Sequence, residues 1–328
     1  MYFSIDPFQH TVRKTINCCG VGLHSGRTVN LSIKPAGADS GIQFKRTDIP
    51  GCHSIKAHMN KVVDTRLATT IGEGGVTVST TEHLLAALAS FGIDNVVIEL
   101  DSAEVPIMDG SAAPFINLLK NGGKKRQNKY RKILRITKAI EYSDGDKTVK
   151  ITPYDGFKVS GKITFDDTLI RNQEYCIELD TERFIQEISR ARTFGYVEQV
   201  EELWANGLAL GGTLDNVIAI HWNRSSVLNE DGLRYNDEFI RHKVLDIIGD
   251  MALLGCPVQG HIQAYKSGHT QHLGFMQAIA NSPECWDLVE LKKNGPHSVL
   301  DQVFSSTRAA GDLIMPFLKQ PSVVASHS

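Results

Sequence analysis

The sequence predicts an α+β protein built from two similar α/β layers that pack together. Its 328 residues correspond to about two domains of roughly 150 residues each. Each half contains an amphipathic helix that ends at a glycine, followed by a strand, a glycine turn and a second helix. His83 lies nine residues before Gly92, and Asp246 lies nine residues before Gly255. This weak internal repeat indicates a duplicated fold unit, with helices from both halves facing one seam.

The first half predicts strands and helices separated by turn signals. Ser79 is a candidate N-cap for the first helix, three leucines give that helix an apolar stripe, and Gly92 stands where a terminating glycine belongs. In chain order, the predicted elements are an alternating strand at 29–33, a helix at 79–90, a buried strand at 95–100 and a helix that follows 109–111, with Pro114 in its first turn.

The second half is predicted to begin after residues 121–132, a polar segment rich in glycine and lysine that is typical of a solvated linker or loop. The most regular helix pattern of the chain follows, because apolar residues recur at helical spacing up to a glycine at 255. In chain order, the predicted elements are strands at 149–152 and 159–165, a helix at 238–254, a strand at 261–265 and a helix after the turn at 267–269.

Charge and composition exclude several classes of function. Lys and Arg number 35, Asp and Glu number 37, and the net charge is −2. Non-specific nucleic-acid binding needs a basic surplus, so no nucleic-acid partner is expected, although a local basic pocket for a phosphorylated ligand stays open. No apolar run reaches the roughly 18 residues that span a bilayer, and no secretory signal is recognisable. The six cysteines form no CxxC pair, so we expect reduced thiols in a cytoplasmic protein.

His242 and Asp246 are the first candidates for chemistry. Four residues apart on the predicted helix, they share one face, and both side chains can reach one point. A neutral imidazole and a carboxylate are both good Zn²⁺ ligands. The alternative is an ordinary helix pair on a wet surface, and the spacing by itself favours that alternative.

Glu82 and His83 form the second candidate pair. In zinc hydrolases, a histidine binds the metal while a neighbouring glutamate takes a proton from the attacking water. The chain has no HExxH motif, however, and residues 79–82 also fit a capping box in which Glu82 binds the backbone at the helix start. From the residues alone, the capping role is favoured over the role of a base.

His269 is the third candidate, on a glycine turn at the end of a predicted strand, where loops commonly place functional groups. The alternative is a solvated turn histidine. The glycine-rich segment 20–26 is not a dinucleotide loop, because the spacing is wrong and no helix follows it. Taken together, the candidates supply three metal ligands, a base and an acid, which is the arrangement of an open catalytic zinc site; the ligands are His83, His242 and Asp246, the base is Glu82 and the acid is His269.

Seven segments in one order resemble the UDP-3-O-acyl-N-acetylglucosamine deacetylases, the zinc enzymes of bacterial lipid A synthesis. The resemblance runs from about residue 10 to about residue 290. The segments are GVGLHSG at 20–26, STTEHL at 79–84, PIMDGSAAPF at 106–115, SRARTFG at 189–195, LNEDGLR at 228–234, RHK at 241–243 and YKSGH at 265–269.

The resemblance implies a role for each candidate and reverses two of the preferences above. It implies that His83, His242 and Asp246 bind zinc and that Glu82 is the general base rather than only a cap. His269 is implied to be the general acid or the electrostatic stabiliser of the charged intermediate. The remaining implied roles are Asp250 as the partner that orients His269, Thr193 as the oxyanion stabiliser, and Lys243 as a substrate contact. An anionic substrate also suits a local cationic site, for which Lys243, Lys266 and His24 are the candidates.

The resemblance also implies two α+β domains packed face to face, each with an inserted subdomain. The predicted bounds are 1–126 with an insert near 66–78, 127–300 with an insert near 193–222, and a tail of unknown role at 301–328. The second insert is expected to frame a hydrophobic passage for an acyl chain, with ordinary core packing as the alternative role of its apolar residues Phe194, Val200, Leu203, Leu208, Ala209 and Val217. The glycines at 72–75, His272 and the tail depart from the family pattern.

The expected reaction removes the 2-N-acetyl group of UDP-3-O-acyl-N-acetylglucosamine. The alternatives are a zinc amidohydrolase for another N-acyl sugar and a non-catalytic sugar-nucleotide binding protein. The chain is expected to act as a monomer, without a membrane anchor but near the membrane during product release. The acyl length, the native metal (Zn²⁺ or Fe²⁺) and the donor of the proton to the leaving amine, Glu82 or His269, stay open.

Overall fold

The computed structural model describes residues 6–294 and 298–303, which contain twenty β-strands and six α-helices. The helices are α1 (Glu82–Phe91), α2 (Ala113–Gly122), α3 (Thr181–Arg183), α4 (Val200–Ala205), α5 (Glu238–Met251) and α6 (His269–Ala280). The strands of the first half are β1 (Phe8–Val12), β2 (Ile16–Val21), β3 (Thr28–Pro35), β4 (Ile42–Arg46), β5 (Ile55–Lys56), β6 (Val62–Asp64), β7 (Thr70–Glu73), β8 (Val76–Val78), β9 (Val96–Leu100) and β10 (Lys124–Tyr130). Those of the second half are β11 (Lys132–Ile136), β12 (Ile140–Asp144), β13 (Lys147–Thr152), β14 (Phe157–Thr164), β15 (Asn172–Glu178), β16 (Phe194–Tyr196), β17 (Ile218–Ile220), β18 (Val258–Tyr265), β19 (Trp286–Asn294) and β20 (Ser298–Val303).

The first half contains a five-stranded sheet in the order β2-β3-β9-β4-β5, mostly antiparallel but with β4 parallel to β9. Alternate residues Val29, Leu31 and Ile33 are buried, as the predicted strand at 29–33 requires. The predicted helices are confirmed as α1 and α2. The predicted buried strand is β9, which lies in the middle of the sheet.

The second half contains an eight-stranded sheet. Six of its strands follow the order β12-β13-β18-β11-β19-β20, while β14 pairs with both β18 and β15. The buried side of β14 faces α5, where Gly161 lies against Ile240 and Val244. The predicted strands and the helices α5 and α6 are confirmed. A 3-10 turn, Ala252–Leu254, follows α5 and ends at Gly255, which adopts a left-handed conformation.

The two halves meet where α1 packs against α5. The helices approach so closely that a Cβ atom on Gly249 would lie 2.0 Å from the carbonyl oxygen of Glu82, so only glycine fits at that position. A single hydrophobic core cluster contains residues of both sheets and of both helices. The predicted α+β class and the predicted seam are therefore confirmed, and the seam contains Glu82, His83, His242 and Asp246.

Two small sheets lie in the segments where inserts were predicted. The strands β6, β7 and β8 form an antiparallel three-stranded sheet, and Gly74 and Gly75, both with positive φ, make the two-residue turn between β7 and β8. The strands β16 and β17 pair in parallel across a connection that contains α4. The domain bounds at 126 and 127 stay predictions.

The predicted linker at 121–132 is wrong, because most of it is the strand β10. This strand pairs antiparallel with β1, and the guanidinium of Arg126 lies 3.4 Å from the ring centre of Phe8. Polar and basic side chains suit a strand in a two-stranded sheet exposed to solvent, so composition does not distinguish such a strand from a loop. Residues 124–130 form a strand because β1, more than a hundred residues earlier in the chain, supplies its hydrogen bonds.

The last strand, β20, runs to Val303, and the rest of the predicted tail lies outside the described residues. Within the described part of the chain, none of the helices has the length and apolar character needed to cross a bilayer.

Candidate active site

At the start of α1, Glu82 does not form the capping box that the residues alone favoured. Thr80 has a positive φ of 57°, and its hydroxyl donates a hydrogen bond to the carboxylate of Glu104. The backbone of Ser79 forms an isolated parallel β-bridge with Glu104. Thr81 precedes the helix and makes no side-chain cap bond. The expected capping box is therefore wrong, because this backbone carries Ser79 away from the helix end.

Three side chains from two distant segments converge at the seam. His83 comes from α1, while His242 and Asp246 come from one face of α5, and all three are buried. Their potential ligand atoms lie within 4.8 Å of one another. Oδ1 of Asp246 lies 3.4 Å from Nε2 of His242 and 3.7 Å from Nε2 of His83, and it has no hydrogen-bond partner.

These residues fit a metal ion. A buried carboxylate oxygen without a partner is costly, and a cation between it and the imidazoles would satisfy it. Two atoms that each bind a tetrahedral zinc ion at about 2.1 Å lie about 3.4 Å apart, close to the separations seen here. Nδ1 of His242 lies 3.0 Å from the carbonyl oxygen of Ala191; it donates to that oxygen, which leaves the lone pair of Nε2 for a metal.

Charge states at the seam also suit metal binding. Burial lowers the pKa of His242 to about 3, so its imidazole is neutral. Burial would raise the pKa of Asp246, but the neighbouring His242 and the ammonium of Lys243 outweigh burial and hold that pKa well below its ordinary value. The ammonium of Lys243 donates to Oδ2 of Asp246 over 3.1 Å, so the second oxygen is already satisfied.

Glu82 and His269 face each other beside the three candidate ligands. Oε1 of Glu82 lies 3.9 Å from Nε2 of His269, and its other oxygen accepts from the backbone N–H of Thr69 over 3.1 Å. Burial raises the pKa of Glu82, and the positive charge of His269 opposes this shift. A carboxylate of raised basicity opposite a cationic acid is suited to proton transfer in both directions.

Asp250 contacts the ring of His269 and favours its protonated form. Nδ1 of His269 is 2.7 Å from Oδ2 of Asp250. Burial opposes protonation of His269, but the carboxylate of Asp250 outweighs it and raises the pKa of His269 to about 9. Burial would also raise the pKa of Asp250, yet His269 and His272 hold that pKa below its ordinary value. An imidazolium is therefore available at neutral pH.

The three candidate ligands, Glu82 and His269 all line one cavity of about 370 Å³. Four further residues of the expected site line the same cavity, namely Thr193, Phe194, Lys243 and His24. Lys266 does not line it, and its ammonium instead pairs with Asp146 over 2.7 Å. Thr193 follows the buried Arg192, whose guanidinium pairs with the buried carboxylate of Glu238 over 2.9 Å.

Of the six apolar residues expected to frame a passage, Phe194 lines the cavity. Its ring packs edge to face on Phe239 with a centroid distance of 5.0 Å, and the ammonium of Lys243 lies 5.5 Å from its centroid. The other apolar residues expected to frame a passage are half-buried and do not line the cavity; they are Val200, Leu203, Leu208, Ala209 and Val217.

His24 connects this insert to the glycine-rich segment. The carbonyl oxygen of His24 accepts from the backbone N–H of Leu210 over 3.1 Å. Nε2 of His24 is buried without a partner, and burial lowers the pKa of His24. The carboxylate of Glu104 accepts from the backbone N–H groups of His24 and Ser25, both over 2.8 Å, and so positions this loop beside the start of α1.

Sequence reasoning missed three contributors to the site. Thr69 donates to Oδ1 of Asp250 over 2.6 Å, Glu104 anchors the loop of His24, and His272 contacts Asp250. Only His272 had a signal in the sequence, because three residues after His269 on a helix it lies on the same face. Thr69 and Glu104 act through contacts with residues far along the chain, and no local pattern marks them.

Several known proteins are similar to this chain over most of its length. A family model described as UDP-3-O-acyl N-acetylglycosamine deacetylase matches residues 9–281. The UDP-3-O-acyl-N-acetylglucosamine deacetylase of Oleidesulfovibrio alaskensis is 49% identical over 278 residues, which cover 85% of this chain and 90% of that protein. The enzymes of that name from Acidithiobacillus ferrooxidans and Syntrophotalea carbinolica are 45% identical over 302 residues and 48% identical over 293 residues, covering 91% and 89% of this chain and 99% and 94% of their own lengths. The chain belongs to the UDP-3-O-acyl-N-acetylglucosamine deacetylase family.

Proposed function

We propose that the chain removes the 2-N-acetyl group of UDP-3-O-acyl-N-acetylglucosamine, releasing acetate and UDP-3-O-acyl-glucosamine, the committed step of lipid A biosynthesis. The observation that carries the proposal is the unpartnered oxygen of Asp246 between two imidazoles, next to the facing pair of Glu82 and His269. Metal ligands beside a base and an acid form the apparatus of amide hydrolysis.

The proposed metal is zinc, held by His83, His242 and Asp246. Two imidazole nitrogens and one carboxylate oxygen are a common ligand set of catalytic zinc sites, which keep a position open for water or substrate. When bound, the ion supplies Lewis acidity to the acetamido carbonyl and to the attacking water. Lys243 and the carbonyl of Ala191 hold two of the ligands in orientation, as outer partners of metal ligands commonly do.

Glu82 is the proposed general base. Its oxygen Oε1 faces the cavity next to the ligands, while Oε2 is held by the N–H of Thr69. Oε2 is thus held in place, and Oε1 is available to accept the proton of the attacking water. The raised pKa of Glu82 increases its basicity, which favours proton abstraction at neutral pH.

His269 is the proposed donor of the proton to the leaving amine. An amide nitrogen cannot leave as an anion, so a proton must reach it as the carbon–nitrogen bond breaks. The pKa of about 9 that Asp250 confers on His269 keeps this imidazole protonated before the reaction. Once His269 has given its proton to the amine, its imidazole is neutral, and the proton that Glu82 gained in the first step can restore the imidazolium, so both groups return to their starting charge.

The other cavity residues are proposed to bind the substrate. The hydroxyl of Thr193 is suited to donate to the developing oxyanion. Lys243 and His24 offer cationic or hydrogen-bonding groups to the sugar nucleotide, and the ring of Phe194 offers an apolar contact to the acyl chain. The two halves correspond to the proposed domains 1–126 and 127–300, each with an insert beside the cavity.

We further infer that the chain works as a monomer in the cytoplasm. Every group of the proposed site comes from one chain, and all six cysteines are free, which suits a reducing compartment.

Metal removal tests the proposal directly. Acetate release from UDP-3-O-acyl-N-acetylglucosamine should stop after chelation and return when Zn²⁺ is added back, because the ligands alone cannot polarise the carbonyl. The same substrate without its acyl chain should react much more slowly. Folded protein that binds zinc but releases no acetate would point to another N-acyl sugar or to a binding protein.

The pH dependence tests the role of His269. We expect kcat/KM to fall as the pH rises, because His269 must be protonated to serve the leaving amine. Asp250 raises the pKa of His269 from 6.5 to about 9, and a bound cation nearby opposes part of this shift, so the midpoint should lie between these values. Asp250→Asn should move the midpoint to lower pH, and an unchanged profile in this variant would contradict the assignment.

A further inference from the structure

A buried imidazole that the proposed mechanism does not use lies directly behind the candidate acid. His272 belongs to α6, one turn after His269, and its side chain is 0% exposed. Its Nδ1 lies 2.6 Å from Oδ2 of Asp250, and its Nε2 lies 3.0 Å from Oγ of Ser267. Burial of an imidazole is costly unless its nitrogens have partners, so these two contacts explain its place in the core.

Asp250 is surrounded by donors. Its Oδ2 accepts hydrogen bonds from Nδ1 of His269 over 2.7 Å and from Nδ1 of His272 over 2.6 Å. Its Oδ1 accepts a hydrogen bond from the hydroxyl of Thr69 over 2.6 Å. An ionised carboxylate only accepts hydrogen bonds, so both imidazoles must carry a proton on Nδ1. Three donors therefore hold the carboxylate in one orientation.

We propose that His272 is a positioning residue for His269 in the deacetylation proposed above, on which this inference rests. By donating to Oδ2, His272 prevents the carboxylate of Asp250 from tilting out of the plane that His269 needs. The ring of His269 then keeps its Nδ1 on Asp250 and its Nε2 towards Glu82 and the cavity. Loss of this donor leaves Oδ2 with one partner and allows the ring of His269 a wider range of orientations, which lowers the rate of proton transfer.

A second metal site formed by Asp250, His269 and His272 is the other interpretation of this cluster. The contacts argue against it, because both oxygens of Asp250 and both nitrogens of His272 already have hydrogen-bond partners. Oδ1 of Asp246, in contrast, has none. The cluster is a closed hydrogen-bond network rather than an open set of ligands.

Two substitutions at His272 separate positioning from packing. The amide nitrogen of asparagine occupies nearly the position of Nδ1 in histidine, whereas that of glutamine occupies nearly the position of Nε2. His272→Asn should therefore keep the donor to Asp250 and retain most of kcat. His272→Gln should lose that donor and lower kcat by about 10-fold, the size of effect usual for outer partners in metal sites, with KM and metal content unchanged.

A matched control tests whether the loss of a buried histidine by itself lowers kcat. His10 is another buried histidine, in β1 and outside the cavity, and His10→Leu should leave kcat unchanged. Equal losses in His272→Asn and His272→Gln, or a change of KM alone, would overturn the positioning role. A fall in bound zinc parallel to kcat would overturn it as well, because His272 would then act on the ligands.

A second readout separates this inference from the proposed function. In NMR spectra of the zinc-loaded protein, the Nδ1–H proton of His269 should shift in His272→Gln and stay in place in His272→Asn. If the unchanged protein releases no acetate, the proposed function fails, and the NMR comparison still decides whether His272 holds Asp250. Identical spectra for the two variants would refute the inference.

Discussion

Glu82→Gln should lower kcat by about three orders of magnitude, within the range that a general base contributes, while bound zinc stays at the level of the unchanged protein. Glutamine keeps the shape of Glu82 and can still accept the backbone N–H of Thr69, but its amide cannot take a proton from water. The three ligands are untouched. Single-turnover acetate release and metal analysis on the same sample measure the two quantities.

A matched control and one outcome make this prediction decisive. Glu141 is exposed on β12 and does not line the cavity, and Glu141→Gln should retain full activity. If Glu82→Gln retains both zinc and turnover, Glu82 is not the base, and its buried carboxylate has only a structural role.

The second large effect is expected for His242→Ala, which should lose both bound metal and turnover. The change removes one of the three proposed ligands and leaves Oδ1 of Asp246 with a single nearby imidazole. Since loss of an outer partner already costs about 10–100-fold in metal affinity, loss of a ligand should cost at least about 100-fold. Competition with a chromogenic chelator measures the affinity directly.

His261→Ala is the control for this experiment. His261 is a half-buried histidine on the outer face of β18, hydrogen-bonded to Ser160 over 2.8 Å, and its loss should leave zinc binding and kcat unchanged. Full zinc retention in His242→Ala would rule out His242 as a ligand. Together with Glu82→Gln, the comparison separates metal binding from proton transfer.

Local patterns in the sequence predicted the most regular parts of the molecule. Apolar periodicity and the glycine at 255 predicted α5, and the four-residue spacing put His242 and Asp246 on one face of it. The same reasoning could not tell a metal pair from a surface pair. Burial decides that question, and burial depends on what packs against the helix.

Two expectations failed because the deciding partner lies far along the chain. Residues 121–132 have the composition of a loop, but most of them form a strand because β1 supplies its hydrogen bonds. Residues 79–82 match a capping box, but the left-handed conformation of Thr80 and its bond to Glu104 remove Ser79 from the helix end. In each case, a non-local contact outweighs a local preference.

The sequence by itself determined four helices (α1, α2, α5 and α6), five strands (β3, β9, β13, β14 and β18) and the family resemblance with its candidate ligands, base and acid, because these depend on periodicity, glycine positions and short motifs. Only the tertiary structure decided that His83 meets His242 and Asp246, since Gly249 allows α1 and α5 to approach closely. It also decided that Asp250 is held by Thr69 and His272. Such contacts join distant segments, and their free energy arises from burial and exclusion of water, which no local pattern encodes.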